Sequence, residues 1–210
     1  HTDEVIEMGE APAKALRAKK KASVVLTVDS VAKGESQGLV AAGSTGAAMA
    51  ASLFGLGRLP GVKRPVICCT MPTSKKPIAL LDGGANSDCE PEMLLEFAIM
   101  GKIFAQLILG YENPRLGLMN IGEEEGKGNE LAKATYNLLT TKKEKLNFIG
   151  NVEGRDTFTG DVHVIICDGF VGNVILKTAE GAFKMVTKLL KAECKSSFVN
   201  MLIAILAKNI

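Results

Sequence analysis

The chain contains no tryptophan, two tyrosines and two histidines, and aromatic residues make up 5% of it. Stacking platforms for single-stranded nucleic acid are therefore scarce. Its formal net charge is only +2 over 210 residues, too weak a field to hold a polyanion, so nucleic acid is not an expected partner. Five cysteines (Cys68, Cys69, Cys89, Cys167 and Cys194) show no CxxC spacing. Neither a disulfide framework nor a zinc site is expected, no metal ligand set stands out, and a reducing cytoplasmic compartment is the expectation. No run reaches the roughly 20 apolar residues of a membrane span, and no leader-like segment opens the chain. Residues 1–20, with the stretch EAPAKALRAKKK, read as a surface segment, and the expectation is a piece from the middle of a longer protein.

What is present is a 47% apolar chain in which short apolar runs alternate with glycine-rich polar breaks and longer helical patterns. The runs are GLVAA (38–42), PVICCT with IALL, RLGLMNI (115–121), LNFIG (146–150) and VHVIIC (162–167). Helical patterns follow to about Gly57, from Pro91, from about Glu130, and from the break after Cys167 to about Lys191. Continuous β-branched runs separated by helices indicate a parallel sheet covered on both faces, hence an α/β class. SVVLTVDSV (23–31) has strand propensity, but Val24, Val28, Val31 and Ala32 fit one helical face, and helix is the expectation.

The polar breaks carry the chemistry. In open parallel sheets ligands bind beyond the carboxyl ends of the strands, where glycines admit close approach and helix starts offer free N–H groups. A lone GSTG (43–46) or DGGAN (82–86) is as often a plain turn as a site, and neither matches a P-loop or a GxGxxG motif. The repetition shifts the balance: Asn86, Asn120, Asn129, Asn151 and Asn173 recur at such breaks, beside Lys127, Arg155 and Lys177. Asp82 to Asp88 is then expected to be one wall of a shared site.

Five segments in order, AAGSTGAAMA, LLDGGANSDCEPEMLLEFAIMG, NPRLGLMNIGEEEGKGNELAKATY, NFIGNVEGRD and VIICDGFVGNVILKTAEG, resemble the bacterial phosphate acyltransferases of phospholipid synthesis, the PlsX family. The resemblance covers most of residues 38–183. Ser44 stands where that family usually has Asn, Gly83 where it usually has Val, and the family's N-terminal and last strands have no counterpart here. It implies a homodimeric three-layer α/β/α sandwich, related in fold to isocitrate and isopropylmalate dehydrogenases. It also implies transfer of a fatty acyl group from acyl-(acyl carrier protein) to inorganic phosphate, giving an acyl phosphate for a downstream membrane acyltransferase. Residues 1–195 would form the α/β catalytic domain, working without cofactor or metal. Alternatives are a phosphate acetyl- or butyryltransferase using acyl-CoA, and a non-catalytic membrane adaptor that binds acyl carrier protein.

Phosphate can itself attack a thioester, so the tasks are to hold it against the carbonyl and to stabilise the oxyanion. Lys177 and Arg155 are the expected phosphate or oxyanion partners, with Lys127 next, and Asn86, Asn120 and Asn173 are the neutral donors. Gly43, Ser44, Thr45, Gly46, Gly84, Asn151, Asp168, Gly169 and Gly172 complete the expected phosphate and substrate surface. Asp82, Glu123 and Glu124 either orient loops or act chemically. Cys89, at a helix start, is a rival covalent acyl acceptor against the more ordinary reading of a packed thiol. His1 and His163 offer little.

The C-terminal stretch places Lys184, Lys188, Lys191 and Lys195 at helical steps and then becomes apolar through Phe198, Leu202, Ile205 and Leu206. Residues 196–210 are expected to form an apolar amphipathic helix. It is either core or dimer interface, or it lies on an anionic membrane as a peripheral contact. The same lysines, with Lys142, Lys143 and Lys145, could instead dock the acidic carrier protein.

Overall fold

The computed structural model describes residues 1–197 and 200. Three helices come first, α1 (Pro12–Ala18), α2 (Ser23–Ala32) and α3 (Thr45–Gly55), packed around Ile6, Leu16, Val28, Ala47 and Ala51. The β-branched 23–31 run is helical, as its apolar spacing indicated, because Val28 buries against this cluster with Val24 and Val25 beside it. The expected strand at 38–42 does not form. Val40 is 93% exposed, Leu39 packs on the helical cluster, and among the described residues no backbone lies alongside to complete a ladder.

The sheet follows: β1 (Cys68–Met71), β2 (Ile78–Leu81), β3 (Leu116–Met119), β4 (Phe148–Val152) and β5 (Val164–Ile166), in the spatial order β1-β2-β5-β3-β4. β2, β5, β3 and β4 are parallel, whereas β1 is antiparallel to β2. The three central strands are buried on both faces, which is why IALL, LGLM and VII are unbroken apolar runs. One face carries α4 (Pro91–Leu107), α5 (Glu130–Thr140) and α6 (Lys143–Leu146), packed through Leu94, Phe97, Leu116, Leu139 and Phe148. Pro91 sits in the first turn of α4, and Gly101 lets that helix press onto Val164 and Leu81.

The other face carries α7 (Gly169–Cys194), seated on Ile78, Leu80, Ile165 and Cys167 through Val171, Ile175, Leu176 and Ala179. The result is a three-layer α/β/α sandwich with a mostly parallel sheet. Beyond Ala179 no described residue of the helix is buried, and Phe183, Met185, Val186, Leu189 and Leu190 are exposed. Among the described residues no helix is long and apolar enough to cross a membrane. The expected helix at 196–210, with Phe198, Leu202, Ile205 and Leu206, falls outside the described residues apart from Asn200 and its first positions.

Candidate active site

Register aligns the strand ends: Leu81 pairs with Ile166, and Ile166 with Leu118. Asp82, Asn120 and Asp168 therefore emerge along one edge, as expected for polar breaks at carboxyl ends. Asp82 itself points inward and is fully buried. A cis peptide joins it to Leu81. Its Oδ1 accepts from the N–H groups of Ile67 (3.3 Å), Gly84 (3.1 Å) and Ala85 (2.9 Å), and its Oδ2 from the N–H and Nδ2 of Asn86 (both 2.8 Å). The carboxylate is the anion around which DGGAN curls, and the amide of Asn86 also donates to the Pro65 carbonyl.

The start of α7 docks on this loop backbone to backbone. The Gly169 N–H donates to the Asn86 carbonyl at 2.7 Å, and Asp168 caps the helix by accepting from the Val171 N–H at 2.8 Å. A Cβ on Gly172 would lie 1.8 Å from the Asp82 carbonyl oxygen, and one on Gly169 would lie 2.8 Å from the Asn86 nitrogen. Only glycine fits at either position. Gly84 rests against the side chain of Asn173, whose amide is exposed at the helix start.

Two asparagines shape the loop after β3. Asn120 donates to the Lys127 carbonyl and accepts from the Ile121 N–H, while Asn151, next to Leu118 on β4, donates to the Glu124 carbonyl. The Asn151 Oδ1 is buried with no partner. Gly128 closes the loop at φ +94°, where a Cβ would strike the Asn120 Oδ1 at 2.4 Å. Asn129 then caps α5 through the Ala132 N–H. Glu123 pairs with Arg155, Glu124 lies over Gly122, and Glu125 accepts from the Tyr136 hydroxyl. The acids thus brace their own loop.

Between the starts of α5 and α7 lies a cleft of about 450 Å³, bordered by Asn120, Gly128, Asn129 and Asp168 and walled by Leu131, Phe170, Val171 and Val174. Two helix starts at one cleft favour an anion there. Lys127 stands on the adjoining loop and makes no ion pair among the described residues. Arg155 holds Glu123 at 3.2 Å and Glu153 at 2.5 Å, and Lys177, two turns into α7, holds Glu180 at 3.1 Å. Those two cations are thus engaged by carboxylates at the surface.

The structure gathers Asn120 and Asp168 at the cleft, with Asn173 and Lys127 close by in sequence; Gly169 and Gly172 do not line it but pack on Asp82, Gly84 and Asn86, the buttress behind. The GSTG segment is elsewhere. Ser44 caps α3 by accepting from the Ala47 N–H, Gly46 packs on Pro12, and Thr45 faces a separate groove with Pro65 and Ile67. None of residues 43–46 lines the cleft. The geometry goes against Cys89 as an activated thiol, since burial, then Asp168 and Asp82, push its pKa up to about 11 and its Sγ donates to the Asn86 carbonyl. The apolar wall residues Phe170, Val171, Val174 and Leu131 were missed. Their only sequence signal is helical spacing, which a core face shares.

A family model described as fatty acid synthesis protein matches residues 1–210. The phosphate acyltransferase of Nitratidesulfovibrio vulgaris strain DP4 is 50% identical over 209 residues, covering 100% of this chain and 60% of that protein. The phosphate acyltransferase of Heliobacterium modesticaldum is 53% identical over 204 residues, covering 97% and 60%. The chain therefore spans about three fifths of the length of these relatives. Among solved structures, a phosphotransacetylase from Streptococcus pyogenes superposes with a TM-score of 0.61 at 18% identity, over 82% of this chain and 58% of the other. The EutD phosphotransacetylase from Staphylococcus aureus gives 0.58 at 19% identity, over 77% and 56%. At those identities the likeness is one of fold. Matched from its first residue to its last by one family model, and about half identical to phosphate acyltransferases, the chain belongs to the fatty acid synthesis protein family.

Proposed function

We infer that the protein containing this chain transfers a fatty acyl group from acyl-(acyl carrier protein) to inorganic phosphate. The observation that carries the reading is the cleft between two helix starts, apolar in its walls and amide-rich at its mouth. Phosphate would sit at the α5 and α7 N-termini beside Lys127. Its oxygen attacks the thioester carbonyl, a carbon–oxygen bond forms, the carbon–sulfur bond breaks, and the carrier leaves as a thiolate that solvent protonates. At the start of α7 the Gly169 and Val171 N–H groups are taken by the Asn86 carbonyl and Asp168, so the Phe170 N–H, with Asn173 and Asn120, is the candidate oxyanion donor. Lys177 and Arg155 remain candidates that must first leave their carboxylates, and Asn151 and Asn86 act through the loops they hold.

The acyl phosphate would pass to a membrane acyltransferase, and the working protein is proposed to be a cytoplasmic homodimer at the membrane surface. In support, the outer turns of α7 carry Lys184, Lys188 and Lys191 on one side and Met185, Val186, Leu189 and Leu190, exposed, on the other. Such a helix suits either an anionic bilayer or an acidic carrier protein.

The test is phosphate-dependent release of free carrier protein from a long-chain acyl-(acyl carrier protein), using the full-length enzyme with acyl-CoA in parallel. Release with acyl phosphate formation supports the reading. Turnover of acyl-CoA alone would replace the donor, and no release from either would remove the chemistry. In the active enzyme, Lys127→Met is expected to raise the KM for phosphate roughly tenfold to a hundredfold, the loss of one charge-assisted contact. An unchanged KM would take Lys127 out of the site. Lys177→Met and Arg155→Met, measured alongside, are expected to have smaller effects.

A further inference from the structure

The cleft does not end at the strand edge. Along α7 it meets a second groove of about 750 Å³, and Val174 and Ile175 line both. Phe170, Val174, Thr178 and Ala182 recur every fourth residue and so lie on one flank of the helix, making the two grooves a single trough. From Phe170 to Phe183 the trough runs about 20 Å at the rise of an α-helix. Its polarity is one-sided. The near end has Asn120, Asn129 and Asp168, whereas the far groove has no charged residue in its wall. Of the far hydroxyls, Thr73 donates to the Lys76 carbonyl and Ser74 to the Thr159 carbonyl.

At the far end stand two partly exposed rings. Phe158, at the end of the 3₁₀ turn Gly154–Phe158, meets Phe183 edge to face, with centroids 6.1 Å apart and planes at 86°. A trough polar at one end, apolar thereafter and lined at its far end by aromatic rings fits a ligand with an anionic or ester head and a long unbranched hydrocarbon tail. We propose that the acyl chain of the substrate lies along this flank of α7 and that the Phe158–Phe183 pair sets the length it accepts. The proposal rests on the acyl-transfer reading given above.

The test uses full-length enzyme and a series of saturated acyl-(acyl carrier protein) substrates from medium to very long chain, with acyl phosphate measured for each. Phe183→Ala opens the far end, and two further methylenes buried there should raise kcat/KM for longer chains relative to shorter ones roughly tenfold. Phe158→Leu should shift the profile the same way by less, and Phe183→Trp should shift it towards shorter chains. Light scattering on each variant reports the oligomeric state. Identical length profiles in the wild type and all three variants overturn the proposal. So does a change of oligomeric state with the profile unmoved, which would make the trough a seat for a second copy. If the wild type forms no acyl phosphate from any substrate, the acyl-transfer reading itself falls and the ruler with it.

Discussion

Gly172→Ala is expected to destabilise the protein by about 3 kcal/mol or more, a drop of roughly 6–12 °C in Tm for a chain of this size. The added Cβ would be 1.8 Å from the Asp82 carbonyl oxygen, and that atom belongs to a backbone pinned from several sides. No rotamer change relieves it. Either α7 lifts from the sheet or DGGAN uncurls, and both outcomes dismantle the cleft, so the acyl phosphate formation proposed for the full-length protein should be lost as well. Gly181→Ala is the control in the same helix. Nothing lies within 4 Å of its Cβ position, and alanine there should add up to about 1 kcal/mol. Equal stability of the two variants in chemical denaturation would show that α7 does not meet the loop as described.

The second large effect is expected from Asp82→Asn. The carboxylate accepts from four backbone N–H groups and one side-chain amide with no water access. An asparagine keeps one accepting oxygen and turns an NH₂ towards the remaining donors. Whichever way it is placed, at least two buried N–H groups lose their partner. Each such loss costs about 1–3 kcal/mol, so destabilisation on the order of 3 kcal/mol or more is expected from the loss of one oxygen's worth of acceptance. Because the side chain faces away from the cleft, activity and stability should fall together. A variant of wild-type Tm with no activity would instead make Asp82 a chemical participant.

How far these features could be read from the residues depended on whether a signal was local. Doubly buried strands must be continuously apolar, so IALL, the core of RLGLMNI and VIIC were readable as strands, and the polar residue after each marks the ligand edge. GLVAA has the same composition and is not a strand, because pairing depends on a neighbour and not on the run itself. The antiparallel direction of β1 was also within reach. Only residues 72–77 link Met71 to Ile78, far fewer than the dozen a parallel crossover needs. Lys177 with Glu180 is an i, i+3 pair visible in the sequence, whereas Arg155 with Glu123 spans two strands and is not. Asp82 could be recognised as an acid at a strand mouth. Its inward direction depends on how five residues curl around it, which composition does not specify.

α7 is a single helix of 26 residues, about 39 Å long at 1.5 Å per residue, seated on the sheet as far as Ala179 and touching Phe158 through Phe183. It therefore acts as a spacer of fixed length. A surface that gripped the outer lysines and leucines, as in the membrane or carrier contact proposed above, would hold the cleft's mouth at a set stand-off.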